Sequence, residues 1–239
     1  MKYNSLKNTV LIILIFFCST WVNAITIGDS NFIMVNEDGQ NVPEHFRSIL
    51  NSIGITDAGC TISYIGKNLA ITAGHCVGAS NTLVRNQKCQ NSFIKWGFRE
   101  YNAGTSYSDC VSIVSSIFNK EEDFAILAIT NPPEYIFNLE MDSYDPNLQI
   151  TIFSHPKYAP LNWSQYCHFE YYDHQEVKPS YIKHNCDTEG GSSGSAILNA
   201  TNLKIIAIHD GSSDLTPIIN YGTPLTNTLL RNELKLLGF

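Results

Sequence analysis

Three short segments of this 239-residue chain carry residues that together could perform nucleophilic catalysis. In Thr72-Ala73-Gly74-His75-Cys76, a histidine follows an apolar run and small residues, which leave room for its imidazole at a strand end. Asp123 begins the strongly apolar run 123–129. Residues 187–196 form a glycine-rich turn that presents Ser193 just before another apolar run. A serine hydroxyl needs a base to accept its proton during attack, and histidine titrates in the right range for that task.

Each segment alone is typical of ordinary structure, but their order along the chain is informative. Gly190-Gly191-Ser192-Ser193-Gly194 also fits the G-x-S-x-G pattern of α/β-hydrolases, with Ser192 as the nucleophile. In that fold a helix follows the serine, and the acid and histidine lie downstream. Here a strand is predicted after the turn, strand–helix alternation is absent, and only His209 follows. The context therefore argues against an α/β-hydrolase.

Short strands must position these segments, because stretches with a helical period are scarce. Nine runs rich in Ile, Val, Tyr, Phe and Thr predict strands at residues 61–65, 69–72, 93–98, 111–117, 123–129, 148–153, 168–172, 196–198 and 203–209. This pattern indicates a β-sandwich or β-barrels. Residues 131–146, with prolines near both ends, are the candidate connection between two β halves. Leucines at near-helical spacing predict one terminal amphipathic helix at 226–237.

The first 24 residues have the pattern of a secretory signal peptide. Lys2 and Lys7 precede the apolar run 10–18, and Val22-Asn23-Ala24 forms an A-x-A-like cleavage site. The apolar run is too short to span a membrane. We expect the mature chain to be secreted, to an extracellular or periplasmic location.

Export changes how the cysteines are interpreted. Six remain after signal removal and predict three disulfides, although spacing alone does not choose among the many pairings: Cys60, Cys76, Cys89, Cys110, Cys167 and Cys186. Cys60, at the start of the preceding strand, could be joined to Cys76. Zinc ligands are also available in Cys167, His168, His174, His184 and Cys186. In an exported chain we expect a Cys167–Cys186 disulfide instead, and no metal.

Composition excludes several classes of function. The formal net charge is −7, from 15 Lys and Arg against 22 Asp and Glu, and no run of Lys or Arg occurs. Nucleic acid and anionic membrane surfaces are therefore not expected partners. Hydrophobic residues make up 44% of the chain and aromatic residues 11%, which excludes a disordered chain. The length suits one domain or a closely fused pair.

The three segments resemble the conserved boxes of the trypsin/chymotrypsin-like serine peptidases. Thr72-Ala73-Gly74-His75-Cys76 resembles T-A-[AG]-H-C, Asp123-Phe124-Ala125-Ile126-Leu127 resembles D-[IFY]-A-[LI]-[LI], and Gly191-Ser192-Ser193-Gly194-Ser195 resembles G-[DNQS]-S-G-[GS]. The resemblance covers about residues 50–225. It implies an all-β fold of two perpendicular six-stranded antiparallel β-barrels with a C-terminal α-helix and a site in the cleft between the barrels. It also implies endopeptidase activity on protein or peptide substrates, without a cofactor, in a monomer.

The same resemblance assigns roles to residues. Ser193 is the nucleophile, His75 the general base and Asp123 the residue that orients His75, while the N–H groups of Gly191 and Ser193 form the oxyanion hole. Ser193 is chosen over its neighbouring serines because Gly191 and Gly194 frame it as in the family. Cys60–Cys76 matches the family's histidine-loop bridge. Cys89–Cys110 is the third expected pair, which spacing does not fix.

The domain organisation follows from the same comparison. Residues 25–48 form an N-terminal segment or a short propeptide, and 49–239 the peptidase domain, with barrel 1 at about 49–135, barrel 2 at about 145–225 and the helix at about 226–237. Ser192 occupies the position of the Asp that trypsin-like zymogens pair with a newly freed N-terminus. That activation salt bridge cannot form here.

Two sets of residues bear on specificity, and they disagree. Asp187 matches the position of the acid with which trypsin-like members bind Lys or Arg. Thr188 and His209, the latter in a segment with Gly211, resemble the residues that bind a substrate Glu carboxylate in the compact bacterial glutamyl-endopeptidase branch. A hydroxyl and an imidazole can both donate to an anion, and we favour cleavage after Glu. The alternatives are Lys/Arg specificity through Asp187, an esterase-like hydrolase with the same triad, and a non-catalytic binding protein on the same fold.

Overall fold

The computed structural model describes residues 26–27, 29–90, 92–170, 180–213 and 219–239. The predicted signal peptide and His174 lie outside them. The described residues form fourteen strands, and these are β1 (Ile33–Met34), β2 (Ile53–Thr56), β3 (Thr61–Gly66), β4 (Leu69–Thr72), β5 (Val84–Lys88), β6 (Phe93–Trp96), β7 (Ser106–Phe118), β8 (Asp123–Ile129), β9 (Gln149–Ser154), β10 (Asn162–His168), β11 (Ile182–His184), β12 (Ala196–Asn199), β13 (Ile205–Ser212) and β14 (Asn220–Pro224). One α-helix, α1 (Thr228–Leu236), ends this part of the chain, and no helix in it is long and apolar enough to cross a membrane.

The first half of the chain folds into a closed antiparallel barrel. Its sheet has the order β5-β7-β6-β2-β3-β4-β8, and an additional β7–β8 pairing closes it. The continuous apolar run in β8 is explained by burial on both faces. Ala125 and Leu127 point into the barrel, whereas Phe124 and Ile126 join the larger core that lies outside it. Successive side chains of a strand alternate between faces, so both sets must be apolar here.

The second half of the chain forms a sheet to which the N-terminal strand β1 is added, with the order β1-β10-β9-β12-β13-β14-β11. The C-terminal end of β10 approaches β11, where Glu170 N–H donates to the Lys183 carbonyl (2.9 Å) and Asn185 N–H donates to that of His168 (3.1 Å). The predicted all-β trypsin-like fold is confirmed. Each sheet carries one strand beyond six, β5 in the first and β1 in the second.

The C-terminal helix packs on this core as expected. Leu230 and Leu234, four residues apart on one face, are fully buried, whereas Leu236 is exposed. The Asn227 side chain caps the helix by accepting from Leu229 N–H (3.1 Å). Arg85 Nε donates to Glu233 Oε2 (2.9 Å), which ties the helix to β5.

Residues before the first barrel are an integral part of the fold. Strand β1 pairs with β10, and a 3₁₀ helix follows at Glu44–Ser52. Phe46 of that helix is fully buried, with its ring 5.3 Å from that of Phe153 and 5.6 Å from that of Trp163. This segment therefore covers part of the second sheet.

Candidate active site

His75 and Asp123 meet at the ends of adjacent strands. Strand β4 ends at Thr72, His75 opens a short 3₁₀ turn, and β8 begins at Asp123. Asp123 Oδ2 lies 2.7 Å from His75 Nδ1, and its Oδ1 accepts the His75 backbone N–H at 2.9 Å. The carboxylate is buried, whereas the imidazole keeps some exposure. Asp123 therefore fixes both the backbone and the ring of His75, and its bond at Nδ1 leaves Nε2 as the basic nitrogen.

A glycine is required for this approach. A Cβ at Gly74 would lie 2.0 Å from the carbonyl oxygen of Ile117. The neighbouring Cys60–Cys76 disulfide joins the His75 turn to the start of β3. Cys89–Cys110 and Cys167–Cys186 are the other two disulfides, so all three are the expected pairs.

The glycine-rich turn places Ser193 at the edge of the second sheet. Gly194 N–H donates to the His209 carbonyl and His209 N–H to the Ser195 carbonyl, both at 2.8 Å, which fixes the turn to β13. Gly194 has a φ of +83°, and a Cβ there would lie 2.0 Å from Thr72 Oγ1. Ser193 Oγ donates to the carbonyl of Asp210 at 3.2 Å. The structure shows no hydrogen bond between Ser193 Oγ and His75 Nε2, so these two predicted partners are not joined in this conformation.

The other two serines of the turn are engaged inside it. Ser192 Oγ lies 3.0 Å from Ser154 Oγ and accepts the Glu189 N–H at 3.1 Å. Ser195 Oγ donates to the Ser192 carbonyl at 2.7 Å. Both side chains are fully buried. Ser193 therefore has the most adaptable hydroxyl of the three.

The backbone amides of Gly191 and Ser193 have no hydrogen-bond acceptor among the described residues. The Gly190 carbonyl accepts from Lys157 N–H at 2.5 Å. Because N–H and C=O point in opposite directions across a trans peptide, the Gly191 N–H is turned away from that contact. The Ser192 carbonyl is likewise held by Ser195, which turns the Ser193 N–H the other way. Gly191 has a φ of +98°, and its Cβ would lie 2.4 Å from the His155 carbonyl oxygen, so only glycine fits.

A pair of histidines lies behind this turn. His209, one of the predicted pocket residues, has its Nδ1 3.1 Å from Nε2 of His184, and both side chains are fully buried. Burial lowers the pKa of His184 to about 3, and burial with the neighbouring His184 and His75 lowers the pKa of His209 well below its usual value. Both rings are therefore neutral at pH 7. From the sequence, His184 is considered only as a zinc ligand. Its proximity to His209 depends on the pairing of β11 with β14, which the sequence does not reveal.

The buried histidines predict a steep loss of stability in acid. The unfolded chain protonates them near pH 6.5, but the folded chain does so only near pH 3 for His184 and pH 4 for His155. Between these values the unfolded state binds more protons, so the free energy of unfolding falls as pH drops below 6.5, by about 1.4 kcal/mol per pH unit for each histidine. Glu122, whose pKa burial raises to about 7, opposes this trend.

Urea unfolding from pH 4.5 to 7.5 measures this slope. His184→Asn should reduce it by about 1.4 kcal/mol per pH unit, because the variant lacks one of the histidines that gain a proton on unfolding. An unchanged slope would contradict the burial of a neutral His184. His45→Asn is the matched control, because His45 is not among the buried residues.

Asp187 is buried but faces the N-terminal segment. Its Oδ1 accepts Ile27 N–H at 2.9 Å and its Oδ2 accepts Asn31 N–H at 2.8 Å. Both carboxylate oxygens are thus engaged by backbone amides of the chain itself. Thr188 is fully buried in the same loop, and Gly211 pairs with Tyr221 where the β13–β14 register shifts.

A second buried carboxylate, which sequence reasoning did not single out, lies close to Asp123. Thr223 Oγ1 donates to Asp210 Oδ2 at 2.8 Å and accepts Asp123 N–H at 3.2 Å. Burial, together with Asp210 and Asp123, raises the pKa of Tyr181. The hydroxyl of Thr223 therefore links β14 to the start of β8.

One cluster in the described part of the chain has spacing that could hold a metal, namely Cys60, His75 and Cys76. Both sulfurs are consumed by the Cys60–Cys76 disulfide, so they are not thiolate ligands. Cys167 and Cys186, weighed as zinc ligands, are also joined to each other.

Comparison with known proteins places this chain in a family. The trypsin-like peptidase domain matches residues 60–208, more than half of the chain. Curated protein sequences give no match. A solved Glu endopeptidase, in complex with MPD, has 18% identity and a TM-score of 0.66 over 89% of this chain and 99% of its own.

Two further solved structures are similar. The Rv3671c protease in an inactive form has 14% identity and a TM-score of 0.58 over 81% of this chain and 92% of its own. A Ser-to-Ala mutant of Rv3671c from M. tuberculosis H37Rv has 13% identity and a TM-score of 0.58 over 85% and 92%. Structural likeness at these identities establishes the fold alone. The family match spans His75, Asp123 and Ser193, and the chain belongs to the trypsin-like peptidase domain family.

Proposed function

We propose that this protein is an exported serine endopeptidase in which Ser193 is the nucleophile, His75 the general base and Asp123 the residue that orients His75. The observation that carries the proposal is the double hydrogen bond between Asp123 and His75, at 2.7 and 2.9 Å. Two unbonded amides, of Gly191 and Ser193, supply the donors that an oxyanion needs. The membership of the peptidase family supports the same chemistry.

The reaction begins with rotation of the Ser193 hydroxyl from the Asp210 carbonyl towards His75 Nε2. Catalytic hydrogen bonds that are absent without substrate often form in the substrate complex. The oxygen then attacks the scissile carbonyl carbon while Nε2 takes its proton. Negative charge moves to the carbonyl oxygen, where the amides of Gly191 and Ser193 donate to it. Asp123 stabilises the imidazolium that forms.

The second half of the reaction releases both products. His75 donates its proton to the leaving amine nitrogen as the carbon–nitrogen bond breaks, which leaves an acyl group on Ser193. Water then attacks the acyl carbon and gives its proton to His75. The carbon–oxygen bond to Ser193 breaks, and the hydroxyl recovers its proton from His75. No net charge or proton accumulates over the cycle.

The environment of Asp187 supports specificity for an acidic side chain over a basic one. A substrate Lys or Arg would have to displace the Ile27 and Asn31 amides from the Asp187 carboxylate. The His184–His209 contact is compatible with an anion site, because His209 carries its proton on Nε2 in the tautomer in which His184 Nε2 donates to His209 Nδ1. We therefore propose cleavage after Glu, with Thr188 and His209 as the donors. The name of the similar Glu endopeptidase agrees with this choice.

Incubation of the mature chain with a mixed peptide library, followed by identification of the cleavage sites, tests activity and specificity together. Cuts after Glu are expected. His209→Leu should lower kcat/KM on Glu peptides by about 10- to 100-fold, the worth of one hydrogen bond to a charged group, with a smaller change on Gln peptides. Asp187→Asn should keep the Glu preference. Cuts after Lys or Arg that vanish in Asp187→Asn would show that Asp187 determines specificity and would contradict the proposed preference for Glu.

The same assay separates the remaining alternatives. Turnover of a simple ester without peptide cleavage would indicate an esterase. Binding of peptides without turnover of either substrate would indicate a binding protein on this fold. Both alternatives keep the His75–Asp123 geometry, so only turnover distinguishes them.

We further propose that signal cleavage after Ala24 yields the active chain and that residues 25–48 are kept. Strand β1, the buried Phe46 and the amides bound to Asp187 all come from this segment or border it. The intact mass of the active secreted protein tests this proposal. A mass that corresponds to a chain beginning near residue 49 would instead identify the segment as a propeptide.

A further inference from the structure

The polar atoms of Thr61, the first residue of β3, all bind the catalytic loop (residues 187–196) or residues that pack against this loop. Its backbone N–H donates to the Ser193 carbonyl at 2.9 Å, and its carbonyl accepts from Thr72 Oγ1 at 2.7 Å. Its hydroxyl donates to the Gly191 carbonyl at 2.8 Å and accepts His155 N–H at 3.0 Å. The residue is fully buried. A side chain of the first barrel thus holds two segments of the second half of the chain.

The hydroxyl matters because glycines leave the peptide groups of the catalytic loop free to rotate. The peptides on either side of Gly191 are held at their carbonyls, at Gly190 by Lys157 N–H and at Gly191 by Thr61. Lys157 belongs to the turn Pro156–Tyr158, and the residue before that turn, His155, is itself bound by the Thr61 hydroxyl. Removal of this one oxygen therefore weakens both restraints. It would also leave the part-buried Gly191 carbonyl and the buried His155 N–H without this partner.

We propose that Thr61 is a positioning residue whose hydroxyl keeps the Gly191 amide aimed at the reacting carbonyl. The proposal rests on the proposed function and deepens it, since it assigns a residue outside the triad and the loop. Thr61 touches no reacting atom, and it acts through Gly191 and His155. Its loss should therefore affect the transition state more than the binding of substrate.

Thr61→Val and Thr61→Ser test this role, because Val keeps the shape and Ser keeps the hydroxyl. Thr61→Val should lower kcat by about 10- to 100-fold with KM changed less than about threefold, below the loss seen when a direct oxyanion donor is removed. A peptide aldehyde, whose adduct carries the tetrahedral oxygen, should bind more weakly by a similar factor. Thr61→Ser should recover most of both.

Thr151→Val is the matched control for general damage to the fold. Thr151 is equally buried in β9, and its hydroxyl also donates to a carbonyl, that of Gln165 (2.8 Å), and accepts an N–H, that of Trp163 Nε1 (2.7 Å). It contacts none of the residues of the catalytic loop. Equal kcat values for Thr61→Val and Thr151→Val, or no recovery in Thr61→Ser, would overturn the proposal.

Two further measurements separate this proposal from the proposed function. If Ser193→Ala cleaves peptides as fast as the wild type, the proposed function fails. If Ser193→Ala is inactive but Thr61→Val matches Thr151→Val, only the Thr61 assignment fails. Hydrogen exchange needs no turnover: the amides of Lys157 and Ser192 should exchange faster in Thr61→Val than in Thr61→Ser or Thr151→Val. Unchanged exchange in Thr61→Val would overturn the assignment without reference to activity.

Discussion

Ser193→Ala should lower kcat on peptide substrates by about 10⁵- to 10⁶-fold, the effect of removing the nucleophile from an intact triad. KM should change little, because the amides of Gly191 and Ser193 and the pocket residues remain. The fold should also persist, since the structure gives Ser193 Oγ a single hydrogen bond, to the Asp210 carbonyl. Steady-state kinetics and a thermal melt of the purified mature chain measure these quantities.

Ser192→Ala and Ser195→Ala are the matched controls. Their hydroxyls bind Ser154, Glu189 and the Ser192 carbonyl within the turn. Their loss should soften the turn and lower kcat by about tenfold or less, the worth of one neutral hydrogen bond. An inactive Ser192→Ala beside an active Ser193→Ala would restore the G-x-S-x-G interpretation and contradict our assignment.

Asp123→Asn should lower kcat by about 10⁴-fold at neutral pH. The carboxylate holds a proton on His75 Nδ1 through its 2.7 Å contact and stabilises the imidazolium by its charge. An amide of the same shape removes the charge and favours the wrong tautomer, while backbone contacts are largely kept. The rate of acylation, measured in single-turnover experiments, should account for the loss.

Glu122→Gln is the control for a change of one buried carboxyl to an amide. Glu122 directly precedes Asp123 and is almost as buried, yet it makes no contact with His75. Its kcat should stay within about threefold of the wild type, as for a substitution outside the machinery. A loss in Glu122→Gln comparable to that in Asp123→Asn would show that the local charge, and not orientation of His75, controls the rate.

The candidate site could be predicted because its residues lie in short contiguous motifs. His75, Asp123 and Ser193 each sit beside a strand whose apolar sequence is continuous, and burial on both faces explains that continuity in β8. The glycines around them are required by geometry, as the 2.0 Å approach at Gly74 shows. The residues that make each motif recognisable are therefore the same residues that the local packing requires.

Strands without an apolar pattern were missed for identifiable reasons. β5 is polar, because it pairs only with β7 and four of its five residues are exposed. β14 contains Gly222 and Pro224, which argue against a strand. Yet a Cβ at Gly222 would lie 2.3 Å from the Ile208 carbonyl oxygen, so the close approach of β13 requires the glycine. The strand predicted at 168–172 overlaps β10, which runs from Asn162 to His168, only at its first residue, and residues 171 and 172 lie outside the described part of the chain.

The surroundings of Asp187, His209 and Ser193 depend on long-range contacts, which short motifs in the sequence do not show. The competition between Asp187 and the Thr188/His209 pair could not be resolved from spacing, because the partners of Asp187 are Ile27 and Asn31, far away in the chain. His184 likewise meets His209 only through the β11–β14–β13 order of the sheet. The orientation of the Ser193 hydroxyl depends on the Asp210 carbonyl, which no motif encodes.

The most direct test of the central claim is covalent labelling of the folded mature chain with a fluorophosphonate, followed by mass mapping of the adduct. The serine oxygen displaces fluoride from phosphorus, so only an activated hydroxyl reacts at an appreciable rate. We expect one phosphonyl group per chain, on Ser193, and little labelling of His75→Ala. An adduct on Ser192 or Ser195, or labelling of Ser193 that is undiminished in His75→Ala, would contradict that claim.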